Sequence, residues 1–122
     1  VNFFAEGGKH FLQDAHSQGA IIAGLAARRT DKEIMKNIEF MGVAPATHMP
    51  KGLFGDAIHL ESERDFVPGI ERWLGGIQDS APIISLAPHP EADFWDHSFD
   101  SPTYSEPMES HISEFLGKYG AN

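Results

Sequence analysis

The sequence predicts an α/β domain: a parallel sheet of three to four strands with flanking helices. Three observations predict it. Short apolar runs of strand length alternate with segments whose apolar residues recur at helical spacing. Turn-forming residues separate these runs at short intervals, with neither an internal repeat nor a low-complexity block. The 122 residues, 41% of them hydrophobic and nine of them Phe, amount to a single core-bearing domain, residues 1–122. Strands that alternate with helices through right-handed crossovers form a parallel sheet covered on both faces. In open sheets of this kind, ligands gather at the carboxyl ends of the strands.

Two readings of residues 9–29 compete. In one the whole stretch is a single helix, with Phe11, Ala15, Ile22 and Ala26 on neighbouring turns. In the other, "HFLQD" is a short strand, Ser17 sits in a tight turn, and a helix runs from Gln18 to Arg29. Next, Thr30 and Glu33 give the pattern T-x-x-E, so "DKEIMKN" starts as a short helix capped by Thr30. "IEFMGVA", residues 38–44, reads as a buried strand closed by Pro45, and a loop follows. "AIHLE", residues 57–61, is the next strand, with His59 facing away from Ile58 and Leu60. "GIERWLGGIQ", residues 69–78, carries Ile70, Trp73, Leu74 and Ile77 at helical spacing after Pro68. "PIISLA", residues 82–87, reads as a second buried strand. A long loop then leads to a last helix, "MESHISEFLGKYG", with Ile112, Phe115, Leu116 and Tyr119 on one face.

The charge balance narrows the function. Eighteen acidic against nine basic residues give a net charge of -9, which leaves no cationic excess to neutralise phosphates, so no nucleic-acid partner is expected. The chain has no cysteine, which removes disulfides, thiolate metal sites and a Cys nucleophile. No apolar run approaches the roughly 20 residues of a transmembrane helix. No cofactor or metal is implied: His10, Asp14 and His16 are ligand types, but nothing completes a zinc signature around them.

The turn reading of "AHSQG" carries chemistry. A nucleophile elbow folds the backbone sharply enough to bring the positions two before and two after the nucleophile together, so both must be small. Ala15 and Gly19 meet that need around Ser17. The hydroxyl then stands at the start of a helix, where the Gln18 amide is placed to donate to a developing oxyanion. A base and an orienting acid are also required. Asp65 follows the strand "AIHLE" in "RDFVP", and His97 lies in the loop after "PIISLA" in "DHSF". The order is Ser, acid, His, each just past the carboxyl end of a different strand.

On these three motifs, the chain from Phe11 onward resembles the C-terminal half of an α/β-hydrolase of the lipase or esterase kind. The resemblance implies Ser17 as nucleophile, His97 as general base and Asp65 as the carboxylate that fixes its tautomer. It implies cleavage of a carboxylic ester, with a lipid among the expected substrates, through an acyl-enzyme. His89, at the end of the last strand, is an alternative base. The family's earlier strands and second oxyanion donor have no counterpart before His10 except Gly7 and Gly8. The elbow strand is therefore expected at an open edge, covered by Phe3 and Phe4, by a partner protein or by a second copy. Compact pieces of this sort also resemble toxin or effector domains at the C-terminal ends of secreted bacterial proteins. Two other readings stand beside this one: a non-catalytic module whose acidic surface binds a partner, and a metal-independent nuclease using the histidines. The acids Glu91, Asp93, Asp96, Asp100, Glu106 and Glu109 read as a solvated stretch, with Phe94 and Trp95 anchoring the loop or lining an acyl pocket.

Overall fold

A computed structural model describes residues 7–73 and 79–120, with backbone alone at 72 and 73. The elements in chain order are β1 (Phe11–His16), α1 (Gly19–Arg28), α2 (Lys32–Met35), β2 (Ile38–Val43), β3 (Asp56–Ser62), α3 (Val67–Trp73), β4 (Ile83–Leu86) and α4 (Pro102–Tyr119). The strands form one sheet in the order β1-β2-β3-β4, with every neighbouring pair parallel. The α/β class predicted from the sequence is the one observed.

Period-two alternation distributes the core between the two faces. In β2, Phe40 points to the face covered by α1, where it packs with Ala20, Ala23, Ala27, Met49 and Phe54. Met41 and Val43 point the other way, onto Leu60 and onto Tyr104, Met108 and Ile112 of α4. Full burial of each large side chain contributes about 1.5–3 kcal/mol, and Phe40, Met41 and Leu60 are at most 1% exposed. The inward face of α1 is built from Ala20, Ala23, Gly24 and Ala27, small enough for the helix to lie close against the sheet. Gly42 serves the same end in β2, since a Cβ there would come within 3.0 Å of the Phe40 ring and 3.2 Å of the His59 ring. Gly55 is more constrained, because a Cβ would collide with the Lys36 carbonyl oxygen where the chain enters β3.

Several elements differ from the sequence-based expectation. The cap of α2 is Asp31, which accepts from the Glu33 amide at 2.8 Å, while the Thr30 hydroxyl turns back to the Ala26 carbonyl. Asp31 wins because it stands one residue nearer the first free amides of so short a helix. The helix expected over residues 69–78 begins at Val67, and positions 74–78 lie outside the described residues. β4 was expected to be buried, yet Ile83 and Ile84 are 36% and 43% exposed. Among the described residues β4 pairs with β3 alone, so an edge strand has taken the composition of an inner one. The last helix starts six residues earlier than expected, at Pro102. Ser101 caps it, Pro102 occupies the first turn where no amide hydrogen is needed, and Pro107 is carried inside. The expected apolar face is only partly used: Ile112 packs on the core, whereas Leu116 is 56% exposed.

Candidate active site

The parallel register brings the carboxyl ends of β1, β2 and β3 to one end of the sheet. Residues 9–29 do not form one helix: β1 ends at His16, α1 begins at Gly19, and Ser17 bridges them at φ 53°. A left-handed conformation is costly for a residue with a Cβ and persists only where the surroundings enforce it. Here the Ser17 amide donates to the Val43 carbonyl at 3.3 Å, and the Ser17 carbonyl accepts from Ala46 at 2.9 Å. The flanking positions do come together across the turn, since a Cβ on Gly19 would meet the Ala15 Cβ at 3.8 Å, an ordinary contact. The polar residues Gln13 and Asp14 are accommodated because β1 is an edge strand, paired among the described residues with β2 alone.

Above this turn three side chains connect. The Ser17 hydroxyl lies 2.8 Å from His97 Nε2, and His97 Nδ1 lies 2.6 Å from Asp65 Oδ2. Asp65 cannot donate as a carboxylate, so Nδ1 carries the hydrogen and Nε2 is left to accept from Ser17. The Asp65 side chain is 1% exposed and the His97 ring 27%, so the carboxylate is shielded from water while the imidazole remains reachable. Asp65 also performs the turn-capping duty open to an isolated Asp at that place, since Oδ1 accepts from the Val67 amide at 2.9 Å. Such an arrangement can activate a hydroxyl for attack on an electrophilic carbon.

The other candidates go elsewhere. The Gln18 amide stands at the N-terminus of α1 and makes no backbone hydrogen bond among the described residues. Gly7 and Gly8 precede the opposite end of β1, which rises about 17 Å at about 3.3 Å per residue. The two residues between Gly8 and Phe11, Lys9 and His10, cannot carry them back to Ser17, so they supply no second oxyanion donor. His89 makes its contacts away from Ser17: its amide donates to Thr103 Oγ1 at 2.9 Å, and its ring accepts from the Glu91 amide at 3.0 Å. His10 stacks on Tyr119 with centroids 3.7 Å apart, and His16 Nε2 donates to the His97 carbonyl at 2.6 Å, so these two do not converge with Asp14. No group of metal-holding side chains occurs among the described residues. Phe3 and Phe4, the proposed edge cover, lie outside the described residues.

Beside these three side chains, Phe66, Val67 and Trp95 form the apolar wall of a cavity of about 390 Å³ that His97 and Asp65 line on one side. Phe66 comes from the acid turn and Trp95 from the histidine loop, and their rings meet edge-to-face at 5.3 Å. Phe94 packs on Trp95 at 5.0 Å but is itself 73% exposed.

Comparison with protein-family models, curated proteins and solved structures finds no match.

Two groups were not legible as site residues. Asp96 is no solvated acid: it is 1% exposed, and its carboxylate accepts from Ser62, Ser101 and Thr103. Burial pushes its pKa up, but the three hydroxyl hydrogen bonds and the Arg64 charge outweigh burial and hold it below the usual value. His48, which has no partner within its own segment, lies between Glu61 of β3 and Glu71 of α3. Burial lowers its pKa, yet hydrogen bonds and charge from both glutamates raise it overall. Beside it His59 is buried and neutral by preference, its pKa lowered by desolvation and then by the His48 charge. Its ring accepts from the Met49 amide at 2.9 Å and donates to the Pro82 carbonyl at 3.1 Å. No spacing rule links these positions, because the partners are brought together from separate elements: Ser62 of β3 and the start of α4 around Asp96, and β3 and α3 around His48.

Proposed function

We propose that this chain is a serine hydrolase of the α/β-hydrolase kind that cleaves a carboxylic ester through an acyl-enzyme at Ser17. The observation that carries the proposal is the continuous hydrogen-bond path from Ser17 Oγ through His97 to Asp65, built on a strand-to-helix turn. His97 Nε2 takes the hydroxyl proton as Ser17 Oγ attacks the ester carbonyl carbon. The carbonyl oxygen gains the negative charge, and the Gln18 amide at the head of α1 is the donor nearest in sequence to that charge; one such donor accounts for about 10²–10³ in kcat. The protonated His97 then gives its proton to the departing alkoxide, the C–O bond breaks, and alcohol leaves an acyl-Ser17. Water attacks the acyl carbon with His97 again accepting a proton, and return of that proton to Ser17 Oγ releases the acid. Asp65 remains ionised throughout and holds the imidazole in the productive tautomer.

The cavity walled by Phe66, Val67 and Trp95 supports a substrate with an apolar, lipid-like portion beside the scissile bond. A net charge of -9 favours an uncharged ester over an anionic one. The test is a fluorophosphonate probe, which reacts with activated serines. It should label the folded wild type and leave Ser17→Ala unlabelled. Absence of labelling on the folded wild type would overturn the proposal.

A further inference from the structure

We propose that Asp96 is the positioning residue of this site, tying the loop that carries His97 to the strand that leads into Asp65 and to the start of α4. The inference rests on the reading of Ser17, His97 and Asp65 as the reacting set. Asp96 immediately precedes His97 and touches none of those three side chains in the hydrogen bonds described. What it does touch is distributed. Ser62, the last residue of β3, lies three residues before Asp65 and donates its hydroxyl to Asp96. Ser101, the cap of α4, donates to the other carboxylate oxygen, and Thr103 in the first turn donates at 2.6 Å. The Asp96 carbonyl accepts from the Tyr104 hydroxyl at 3.3 Å, and that same hydroxyl accepts from the Ser62 amide at 3.0 Å.

Asp96 sits at φ 46°, in the left-handed region that Asp enters more readily than most residues with a Cβ. A loop 15 residues long between β4 and α4 has many conformations available, and a buried carboxylate bonded to three hydroxyls selects one of them. From the far side, His16 fixes the His97 carbonyl at 2.6 Å, so the backbone of the base is held both at its own carbonyl and through the residue before it. Burying an ionised group without a ligand or a reaction to serve is costly, and here its partners are the two segments whose relative position sets the 2.6 Å contact between His97 and Asp65. Displacement of a catalytic group by about 1 Å costs about 100-fold in rate.

The experiment uses Asp96→Ala, with Asp31→Ala as the control for lost stability, since Asp31 caps α2 at the other end of the sheet. Two readouts are taken: kcat and KM on a short-chain nitrophenyl ester, and the downfield proton resonance of the His97 Nδ1–H bonded to Asp65. Asp96→Ala should lower kcat about 100-fold at a KM within about threefold of wild type, and should abolish or shift that resonance. Asp96→Asn keeps the shape and tolerates the left-handed backbone, so it should recover part of both. Asp31→Ala should leave both unchanged. A wild-type resonance and kcat in Asp96→Ala would overturn the proposal, as would equal losses in the Asp31→Ala control. If Asp96→Ala does not fold, Thr103→Ala removes one of the three hydroxyls and is judged by the same two outcomes. The resonance reads geometry without turnover, so a wild type that hydrolyses no ester counts against the hydrolase reading while the positioning claim is still decided by the resonance.

Discussion

Replacing Asp65 by Asn separates orientation of the base from stability of the fold. Asp65 uses its two oxygens differently, Oδ1 accepting from the Val67 amide at 2.9 Å and Oδ2 from His97 at 2.6 Å. The Val67 amide can only donate, so the Asn side chain must keep its oxygen there and turn its NH₂ toward His97. His97 Nδ1 then has to accept, the ring hydrogen moves to Nε2, and the atom facing Ser17 becomes a donor. The base is lost while the site keeps its shape. The expected fall in kcat is about 10⁴, or about 5.5 kcal/mol at about 1.36 kcal/mol per tenfold. The fold loses only the difference between a charge-assisted and a neutral hydrogen bond, about 1 kcal/mol. Asp65→Ala also removes the cap on Val67 and should cost about 1 kcal/mol more. Initial rates of ester hydrolysis, fluorophosphonate labelling rates and urea unfolding measure these quantities. An Asp65→Asn protein that turns over or labels within tenfold of wild type would refute the tautomer argument.

Stability should peak near pH 6.5. His48 has its pKa raised in the fold, so its contribution is complete below the ordinary His value of about 6.5 and is lost as the pH climbs through the raised value. His59 has its pKa lowered, so its contribution is complete above about 6.5 and is lost as the pH falls through the lowered value. Thermal unfolding across pH 5–9 checks this, and His48→Gln should remove the decline on the alkaline side. Trp95→Ala opens the wall of the cavity beside His97, so KM for a long-chain ester should rise about tenfold relative to an acetyl ester while labelling of Ser17 persists. Equal effects on both chain lengths would exclude the cavity as the binding place of the apolar portion.

Much of the candidate site could be read in advance because its chemistry is written locally. Ser17 stands between Ala15 and Gly19 in five consecutive residues, and Asp65 and His97 each follow a strand-like run in the expected order. The fold class was legible for the same reason, since β2 and β3 are apolar runs bounded by turn residues. Element ends were less so. The stretch "SPTYSEP" carries two prolines and polar residues, which read as loop, yet the structure makes it the opening of α4 because Ser101 caps it, Pro102 needs no amide partner and Tyr104 is buried in the core.

What the sequence by itself determined is the α/β class, the order of elements after residue 29, and a set of candidates in the chain order Ser17, Asp65, His97, with His89 as the alternative to His97. Only the tertiary structure decided that Ser17 lies at a strand-to-helix turn, that His97 and not His89 reaches it, and that Asp96, one of several acids in a polar loop, is a buried anchor. The physical reason is one of range. A turn or a strand depends on neighbouring residues, whereas the burial of Asp96, like the placing of His48 between Glu61 and Glu71, depends on which hydroxyls or carboxylates other elements bring to meet it.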